Sequence, residues 1–384
     1  MTTEPPAAGR TLRLGRREWP PGSFAIMAVI NRTPDSFFDH GTTYDLGAAL
    51  AAADRAVAGG ADILDIGGVR AGPGEDVSVA EEIRRVAGLV AAVRAQHPGM
   101  VISVDTWRAE VGRAVAAAGA DLLNDAWGGA DPALAQVAAA YGLGLVCSHA
   151  GGLAPRTRPH RPAYTDVVAE VRDYVTAQAR RAVAAGVRPD GIVIDPAHDF
   201  GKNTWHSLEL TRRTAELVAA GWPVLIAVSN KDFVGETLGL PLPERAEGTL
   251  AALAVCAWEG ARLFRVHDVA AARDALAAVA ALRAAGNLAA LPAARAGGAA
   301  RGTGRLRGVE GRENDRGEPV HHLVPGQPHL DAEQVVHPFQ HHQAGDRGQF
   351  GVPGRRGRPD AGGLAAGHAL AAGLRAGVPG LPER

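Results

Sequence analysis

The sequence predicts an α/β fold, a (β/α)8 TIM barrel, on two observations. From residue 24 onward, short apolar runs alternate with longer Ala-rich stretches of helical period, and this alternation repeats eight times before residue 286. Strict alternation of strand and helix favours a parallel sheet, and eight repeats of this length favour closure into a barrel. An open doubly wound sheet stays possible, although the Gly-rich dinucleotide turn after the first strand is missing.

The individual elements follow from the apolar runs and from the residues that start and stop helices. The predicted strands cover residues 24–30, 61–66, 100–104, 121–123, 143–147, 191–194, 223–228 and 262–266. The predicted helices cover residues 45–59, 79–96, 108–118, 132–141, 164–185, 206–220, 243–258 and 270–285. Pro132 and Pro243 stand in first turns, and glycines such as Gly119 and Gly142 stand where helices stop.

The chain is predicted to have three segments: a leader over residues 1–22, the barrel over residues 23–288, and a tail over residues 289–384. The tail is dense in Gly, Arg and Pro, and it shows no sustained strand or helix period. Because such a segment buries too little apolar surface to offset its chain entropy, we expect it to be disordered or irregular.

Composition restricts the classes of partner. The 384 residues carry a formal net charge of -1, which argues against a nucleic acid or an anionic membrane as the main partner. No continuous apolar run opens the chain, so we expect neither a signal peptide nor a membrane span, and we expect a cytoplasmic protein. Cys147 and Cys256 lie far apart in sequence, and we expect both to be buried thiols.

Polar side chains recur at the ends of the predicted strands. In a barrel, the carboxyl ends of all strands meet at one face, so these side chains are expected to converge there. Lys202 and Lys231 are the only two lysines of the chain, and both come just after predicted strands. The candidate site residues are Asn31, Asp105, Asn124, Asp195, Phe200, Ser229, Lys231, Arg265 and His267.

The chemistry of these residues separates into two halves. Asp105, Asn124 and Asp195 offer buried acceptors and an amide, which suit a flat heterocycle rich in hydrogen-bond donors. Asn31, Arg265 and His267 offer an oxygen ligand and cationic donors, which suit a diphosphate accompanied by a hard cation such as Mg²⁺. The sequence therefore predicts a site that holds a base at one side and neutralises a leaving group at the other.

Over residues 23–285 the sequence resembles dihydropteroate synthase, a TIM-barrel family of folate synthesis. The motifs that carry the resemblance are Asn-Arg-Thr-Pro-Asp-Ser-Phe (31–37), Asp-Ile-Gly-Gly (65–68), Ser-Val-Asp-Thr (103–106), Asn-Asp (124–125), Asp-Pro (195–196), Phe-Gly-Lys (200–202), Ser-Asn-Lys (229–231) and Arg-Val-His (265–267). The resemblance implies condensation of 7,8-dihydropterin-6-ylmethyl diphosphate with 4-aminobenzoate, which gives 7,8-dihydropteroate and releases diphosphate.

The resemblance also implies roles for single residues. The pterin would be held by Asp105, Asn124, Asp195 and Lys231, with Arg265 covering the ring; Asp105, Lys231 and Arg265 would be catalytic. Asn31 would touch Mg²⁺ and the diphosphate, helped by His267. The resemblance further implies a homodimer, and the Ala- and Leu-rich residues 250–256 are a candidate for its interface.

The sequence departs from the family pattern in the loops that would handle the diphosphate and the second substrate. Where the family usually has a hydroxyl against the diphosphate, this chain has Ala71, and the usual Val after the first-loop Asn is Arg32, which adds a cation. The usual Gly-Ile-Gly before Phe-Gly-Lys is Ala-His-Asp at 197–199. Asp232 replaces a Ser that caps a helix facing aminobenzoate; we expect Asp232 to cap this helix but to repel the substrate carboxylate.

Three functions stay open at this point. The first is a working dihydropteroate synthase. The second is a paralogue, resembling the second dihydropteroate synthase homologue of actinobacteria, that binds the pterin diphosphate but is weak or inactive with 4-aminobenzoate. Such a paralogue would use another acceptor or have a binding or regulatory role. The third is a pterin-binding methyltransferase domain, which is disfavoured because it has no use for a diphosphate clamp.

Overall fold

The computed structural model describes residues 9–33, 44–72, 74–152, 154–157 and 162–289. The predicted C-terminal tail beyond Ala289 and the first-loop motif from Pro34 to Phe37 lie outside these residues, so the expectations about them stay predictions. None of the described helices is both long and apolar enough to cross a bilayer.

Eight parallel strands form the barrel, and each begins within two residues of a predicted strand start. The strands are β3 (Ala25–Asn31), β4 (Ile63–Gly67), β5 (Val101–Asp105), β6 (Leu122–Asp125), β7 (Gly144–Ser148), β8 (Ile192–Asp195), β9 (Leu225–Ile226) and β10 (Leu263–Val266). Their order in the sheet is β8-β7-β6-β5-β4-β3-β10-β9, and a parallel bridge between Ile194 and Val224 joins the two edges. The prediction of a (β/α)8 barrel is therefore confirmed.

Helices follow the strands and pack outside the barrel. They are α1 (Leu46–Ala58), α2 (Val79–Gln96), α3 (Ala109–Ala118), α4 (Ala133–Tyr141), α5 (Val167–Ala184), α6 (Thr204–Arg212), α7 (Thr214–Val218), α8 (Asp232–Leu238), α9 (Ala246–Trp258) and α10 (Val269–Ala289). The single helix predicted over 206–220 is two helices that meet at Arg213. Helix α8 is not among the helices predicted from periodicity, because seven residues are too few to show a helical period; the family resemblance alone indicated a helix starting near Asp232.

A short hairpin covers the amino-terminal end of the barrel, where the sequence analysis predicted only a leader. Strands β1 (Leu12–Leu14) and β2 (Arg17–Trp19) pair antiparallel, and Leu12, Leu14 and Trp19 are buried against the barrel interior. Three-residue strands carry too little alternation to be recognised from sequence. The hairpin closes this end, which leaves the opposite end open for a ligand.

Strand alternation sorts barrel residues into an inner and an outer set. Met27, Ile63, Val101 and Val193 pack with one another inside the barrel, whereas their sequence neighbours pack against the helices. Successive strand residues point to opposite faces, so positions of the same parity nearer the carboxyl end also point inward. Both cysteines are buried free thiols, as predicted.

Candidate functional site

All nine candidate site residues lie at the carboxyl end of a strand or in the loop that follows it. This end of the barrel is called the mouth below. Asn31 pairs in register with Gly67, Gly67 with Asp105, and Asp105 with Asn124, so four neighbouring strands present one continuous layer of the mouth. A methyl group on Gly67 would lie 3.5 Å from Asn31 Oδ1 and 3.8 Å from Asp105 Cβ, so both side chains face this glycine.

Asp65 organises this layer, and sequence reasoning gave it no role. Its fully buried carboxylate accepts hydrogen bonds from Ser103 Oγ at 2.6 Å, Asn124 Nδ2 at 3.1 Å and Arg265 Nε at 2.6 Å. A signal was present in the sequence, because a carboxylate inside an apolar strand is costly unless several donors satisfy it. Asp65 therefore orients two predicted ligand-binding side chains, Asn124 and Arg265.

Arg265 connects two carboxylates of the mouth. Besides Asp65, its guanidinium reaches Asp105, with Nη2 3.4 Å from Asp105 Oδ2. Burial raises the pKa of Asp105 to about 7, and the positive charge of Arg265 only partly opposes this rise. Asp105 is thus poised to be ionised by any ligand that donates hydrogen bonds to it.

Asp195 and Lys231 form the opposite side of the mouth. Burial raises the pKa of Asp195, whose Oδ1 accepts the backbone N–H of Ala197 at 2.7 Å. Burial lowers the pKa of Lys231, whose ammonium lies 5.0 Å from the centroid of the Phe200 ring. The charge of Arg265 acts on the pKa of both groups, which places them in one electrostatic environment with the Asp105 side.

Ser229 and His267 pair at the rim between β9 and β10. Ser229 Oγ lies 2.8 Å from His267 Nδ1 and accepts the backbone N–H of His267 at 3.3 Å. The tautomer of His267 sets which of the two groups donates across this contact, since the hydroxyl can both donate and accept. The contact fixes the orientation of the imidazole at the mouth.

The loop from Pro196 to Gly201 keeps an unusual backbone with non-glycine residues. Ala197 has φ +49° and Asp199 has φ +66°, which is the left-handed region that glycine adopts without cost. The family that the sequence resembles usually has glycine at both positions. The chain has therefore kept a glycine-type loop conformation while adding side chains to it.

Ala197→Gly is expected to raise the free energy of unfolding by about 1 kcal/mol, since the left-handed conformation is unfavourable for alanine. Urea denaturation measures this change. Ala53→Gly, in the middle of helix α1, is the matched control and is expected to lower stability by about 1 kcal/mol. A loss of stability in Ala197→Gly would contradict the assigned backbone conformation.

Arg32 and Asp232, two residues at which the sequence differs from the family pattern, make other contacts than predicted. Arg32 does not add a cation to the mouth, because its buried guanidinium donates to the carbonyl oxygens of Tyr44 and Arg85 at 2.7–3.0 Å. Asp232 does not cap helix α8. It is the first helical residue and pairs with Arg245, with Asp232 Oδ1 3.1 Å from Arg245 Nη1. Asp199 reaches this helix instead: its Oδ2 accepts the backbone N–H of Phe233 at 3.3 Å.

Comparison with known proteins places this geometry in a family. The profile of the family described as pterin binding enzyme matches residues 27–267. The dihydropteroate synthase of Escherichia coli is 38% identical over 255 residues, which cover 66% of this chain and 90% of that protein. The inactive dihydropteroate synthase 2 of Mycobacterium tuberculosis is 60% identical over 259 residues, which cover 66% of this chain and 81% of that protein.

A solved structure agrees with the sequence comparison. The dihydropteroate synthase of Xanthomonas albilineans, in complex with 7,8-dihydropteroate, superposes with a TM-score of 0.63 at 37% identity. The match covers 72% of this chain and 99% of that structure. With the barrel, its polar mouth and these relatives in agreement, this chain belongs to the dihydropteroate synthase family of pterin-binding barrels.

Proposed function

We propose that the barrel mouth binds a 7,8-dihydropterin diphosphate, and that 4-aminobenzoate is a poor acceptor for this member of the family. The observation that carries the first half is the in-register layer of Asn31, Gly67, Asp105 and Asn124, with Asp195 and Lys231 across from it. A buried site lined by carboxylates and an amide selects a ligand that satisfies them, since unpaired buried polar groups are costly.

The pterin edge fits the chemistry of these side chains. Its amino group and ring N–H are donors, which suit the carboxylates of Asp105 and Asp195, while its carbonyl is an acceptor, which suits Asn124 and Lys231. The planar guanidinium of Arg265 is held by Asp65 at 2.6 Å and would cover one face of the ring. In this arrangement Asp65 acts through Arg265 and does not touch the ligand.

The same residues suit departure of the diphosphate. When the C–O bond to the diphosphate breaks, positive charge develops on the pterin methylene and ring, and an ionised Asp105 beside it stabilises this charge. An incoming amine then forms the new C–N bond and loses a proton. Asp105, Lys231 and Arg265 are therefore the residues that we propose for catalysis, if an acceptor binds.

The diphosphate would lie against Asn31, Ser229 and His267. Mg²⁺ is commonly held by one or two protein oxygens together with substrate phosphates and water. Among the described residues, no cluster of three or more His, Cys, Asp or Glu could hold a metal ion. The described donor set thus fits a Mg²⁺ that arrives with the diphosphate and would touch Asn31. When bound, the ion would lower the negative charge on the leaving group.

The acceptor side explains why we expect weak use of 4-aminobenzoate. Two carboxylates, Asp199 and Asp232, lie at the first turn of helix α8, and both act on the pKa of Lys231. Arg245 forms an ion pair with Asp232, whereas Asp199 forms no ion pair within 4 Å among the described residues. An anionic acceptor would meet like charge here, which opposes its binding. This expectation is supported by the relative from Mycobacterium tuberculosis that is 60% identical, which is named inactive dihydropteroate synthase 2.

Dihydropteroate synthase activity is the second candidate function. It is favoured by the presence of every mouth residue that we propose for pterin binding, and by the relative from Escherichia coli. The two candidates agree about the pterin diphosphate and differ only about the acceptor.

Release of diphosphate separates the two candidates. The full chain is given 7,8-dihydropterin diphosphate, Mg²⁺ and 4-aminobenzoate, and we expect binding of the pterin with little turnover. In Asp232→Ser we expect turnover to rise, because one of the two carboxylates is removed. Glu209→Gln, at a partly exposed acidic residue of α6, is the control and should leave turnover unchanged. Robust turnover by the unmodified protein would favour the synthase instead.

We also propose that the protein forms a homodimer. Val255 and Trp258 on α9 and Leu282 on α10 are 46%, 53% and 62% exposed, and exposed apolar residues of this size suit burial by a second copy. Sedimentation equilibrium measures the mass directly. We expect twice the chain mass of 39.6 kDa, and the mass of one chain at micromolar concentration would contradict the proposal.

A further inference from the structure

Lys202 is buried in the wall of the mouth, where its ammonium joins two loops. It lies 2.9 Å from the carbonyl oxygen of His149, 3.1 Å from that of Ala197 and 2.8 Å from that of Phe200. It also lies 3.0 Å from His149 Nδ1. Burial lowers the pKa of His149 to about 3, so the imidazole is neutral and adds no positive charge beside the ammonium. Lys202 thus ties the loop after β7 to the loop after β8.

The loop after β8 carries two contacts of the proposed ligand site. The His198 carbonyl oxygen accepts a hydrogen bond from the Lys231 ammonium, and the Phe200 ring lies beneath that ammonium. Phe200 also packs on Trp127, with ring centroids 5.2 Å apart. The position of Lys231 in the mouth therefore depends on the position of this loop.

The loop conformation needs external support. Ala197 and Asp199 both have positive φ, which is costly for residues with a side chain. Gly201 approaches the preceding loop so closely that a methyl group on it would lie 2.8 Å from the Ala150 carbonyl oxygen. Lys202 supplies support from one side, and Asp199 supplies it from the other through Ser207 Oγ at 2.8 Å.

We propose that Lys202 is a positioning residue for the pterin site: its ammonium clamps the loop after β8 and so fixes the His198 carbonyl and the Phe200 ring that place Lys231. The ligand half of this proposal rests on the proposed function. Lys202 itself does not touch the ligand. The three carbonyl oxygens that it binds face it from two loops, and a compact ammonium suits them better than a planar guanidinium.

The chain offers a matched control at the other end of the barrel. Arg262 is also buried and also clamps carbonyl oxygens, those of Arg10 at 2.5 Å and of Trp19 and Pro20 at 2.7 Å. It holds the hairpin end, which is remote from the mouth. Loss of either clamp should cost stability, but only loss of the Lys202 clamp should reach the ligand.

The test uses full-length protein and two readouts, hydrogen exchange over residues 195–203 and the Kd of 7,8-dihydropterin diphosphate. In Lys202→Met we expect faster exchange and a Kd raised about tenfold, because small misplacements of binding groups are costly. Lys202→Arg keeps the charge with the wrong shape, so we expect a rise of about threefold. If Lys202→Met does not fold, Lys202→Arg alone tests the proposal. In Arg262→Met we expect neither change.

Two results would overturn the proposal, and a third would separate the clamp on the loop from the proposed ligand binding. Exchange and Kd in Lys202→Met equal to those of the unmodified protein would overturn it, and so would an equal rise of Kd in Arg262→Met. If the unmodified protein binds no pterin diphosphate, the proposed function fails. Faster exchange in Lys202→Met would then still support the clamp on the loop.

Discussion

Asp65→Asn is expected to lower the free energy of unfolding by about 3–5 kcal/mol, the usual cost of breaking a buried ion pair from one side. The substitution leaves the Arg265 guanidinium, only 20% exposed, without the carboxylate that it meets at 2.6 Å. It also replaces an acceptor of the Ser103 and Asn124 hydrogen bonds by an amide. Urea denaturation followed by circular dichroism measures the change.

Asp65→Asn should also weaken binding of the pterin diphosphate, because Arg265 and Asn124 lose their orientation together. Glu209→Gln is the control for loss of a carboxylate that pairs with arginine, since the Arg212–Glu209 pair is on the surface of α6. We expect its denaturation midpoint to stay unchanged. Equal behaviour of the two variants would show that Asp65 does not organise the mouth.

Asp105→Asn is expected to raise the Kd of 7,8-dihydropterin diphosphate about 100-fold, since hydrogen bonds to a charged acceptor are the strong ones. The amide keeps the size of the side chain but presents a donor where the ligand also has donors. Asp65 accepts three hydrogen bonds at 3.1 Å or less, whereas the hydrogen bond that Asp105 accepts among the described residues is the longer one from Arg265 at 3.4 Å, so we expect a smaller loss of stability. Calorimetric titration of both proteins measures the ratio of Kd values.

The pH dependence of binding tests the same residue independently. The pKa of Asp105 is raised to about 7 because burial disfavours its charge. Below that pH the carboxyl is protonated and cannot accept from the ligand with both oxygens. Affinity of the unmodified protein should therefore rise as the pH increases through about 7. Asp105→Asn has no such group, so this rise should be absent; a rise that persists in the variant would assign it to another group.

The fold was largely predictable because its signals are local and repeated. Each barrel strand is an apolar run with polar residues at its carboxyl end, and each long helix has a period and a stop signal. The hairpin β1–β2 and helix α8 could not be predicted from periodicity, because three-residue strands and a seven-residue helix carry almost no periodic signal. Their positions are set by tertiary packing on the barrel.

The sequence predicted which residues gather at the mouth, but it did not predict which of them bind one another. Strand-end positions identified residues such as Asp105 and His267, since the barrel brings all such ends together. Which groups bind one another depends on long-range contacts that no local pattern encodes. For this reason the sequence indicated no role for Asp65, which organises the layer. It also predicted the wrong contacts for two residues: Arg32 binds the carbonyl oxygens of Tyr44 and Arg85, and Asp232 pairs with Arg245.

One calorimetric titration tests the central claim most directly, namely that the polar mouth of this barrel binds a pterin diphosphate. The unmodified full chain is titrated with 7,8-dihydropterin diphosphate in the presence of Mg²⁺, beside Asp105→Asn and Arg262→Met. We predict saturable binding with one ligand per chain, which Asp105→Asn largely loses and Arg262→Met retains. No binding by the unmodified protein, or equal binding by Asp105→Asn, would contradict the claim.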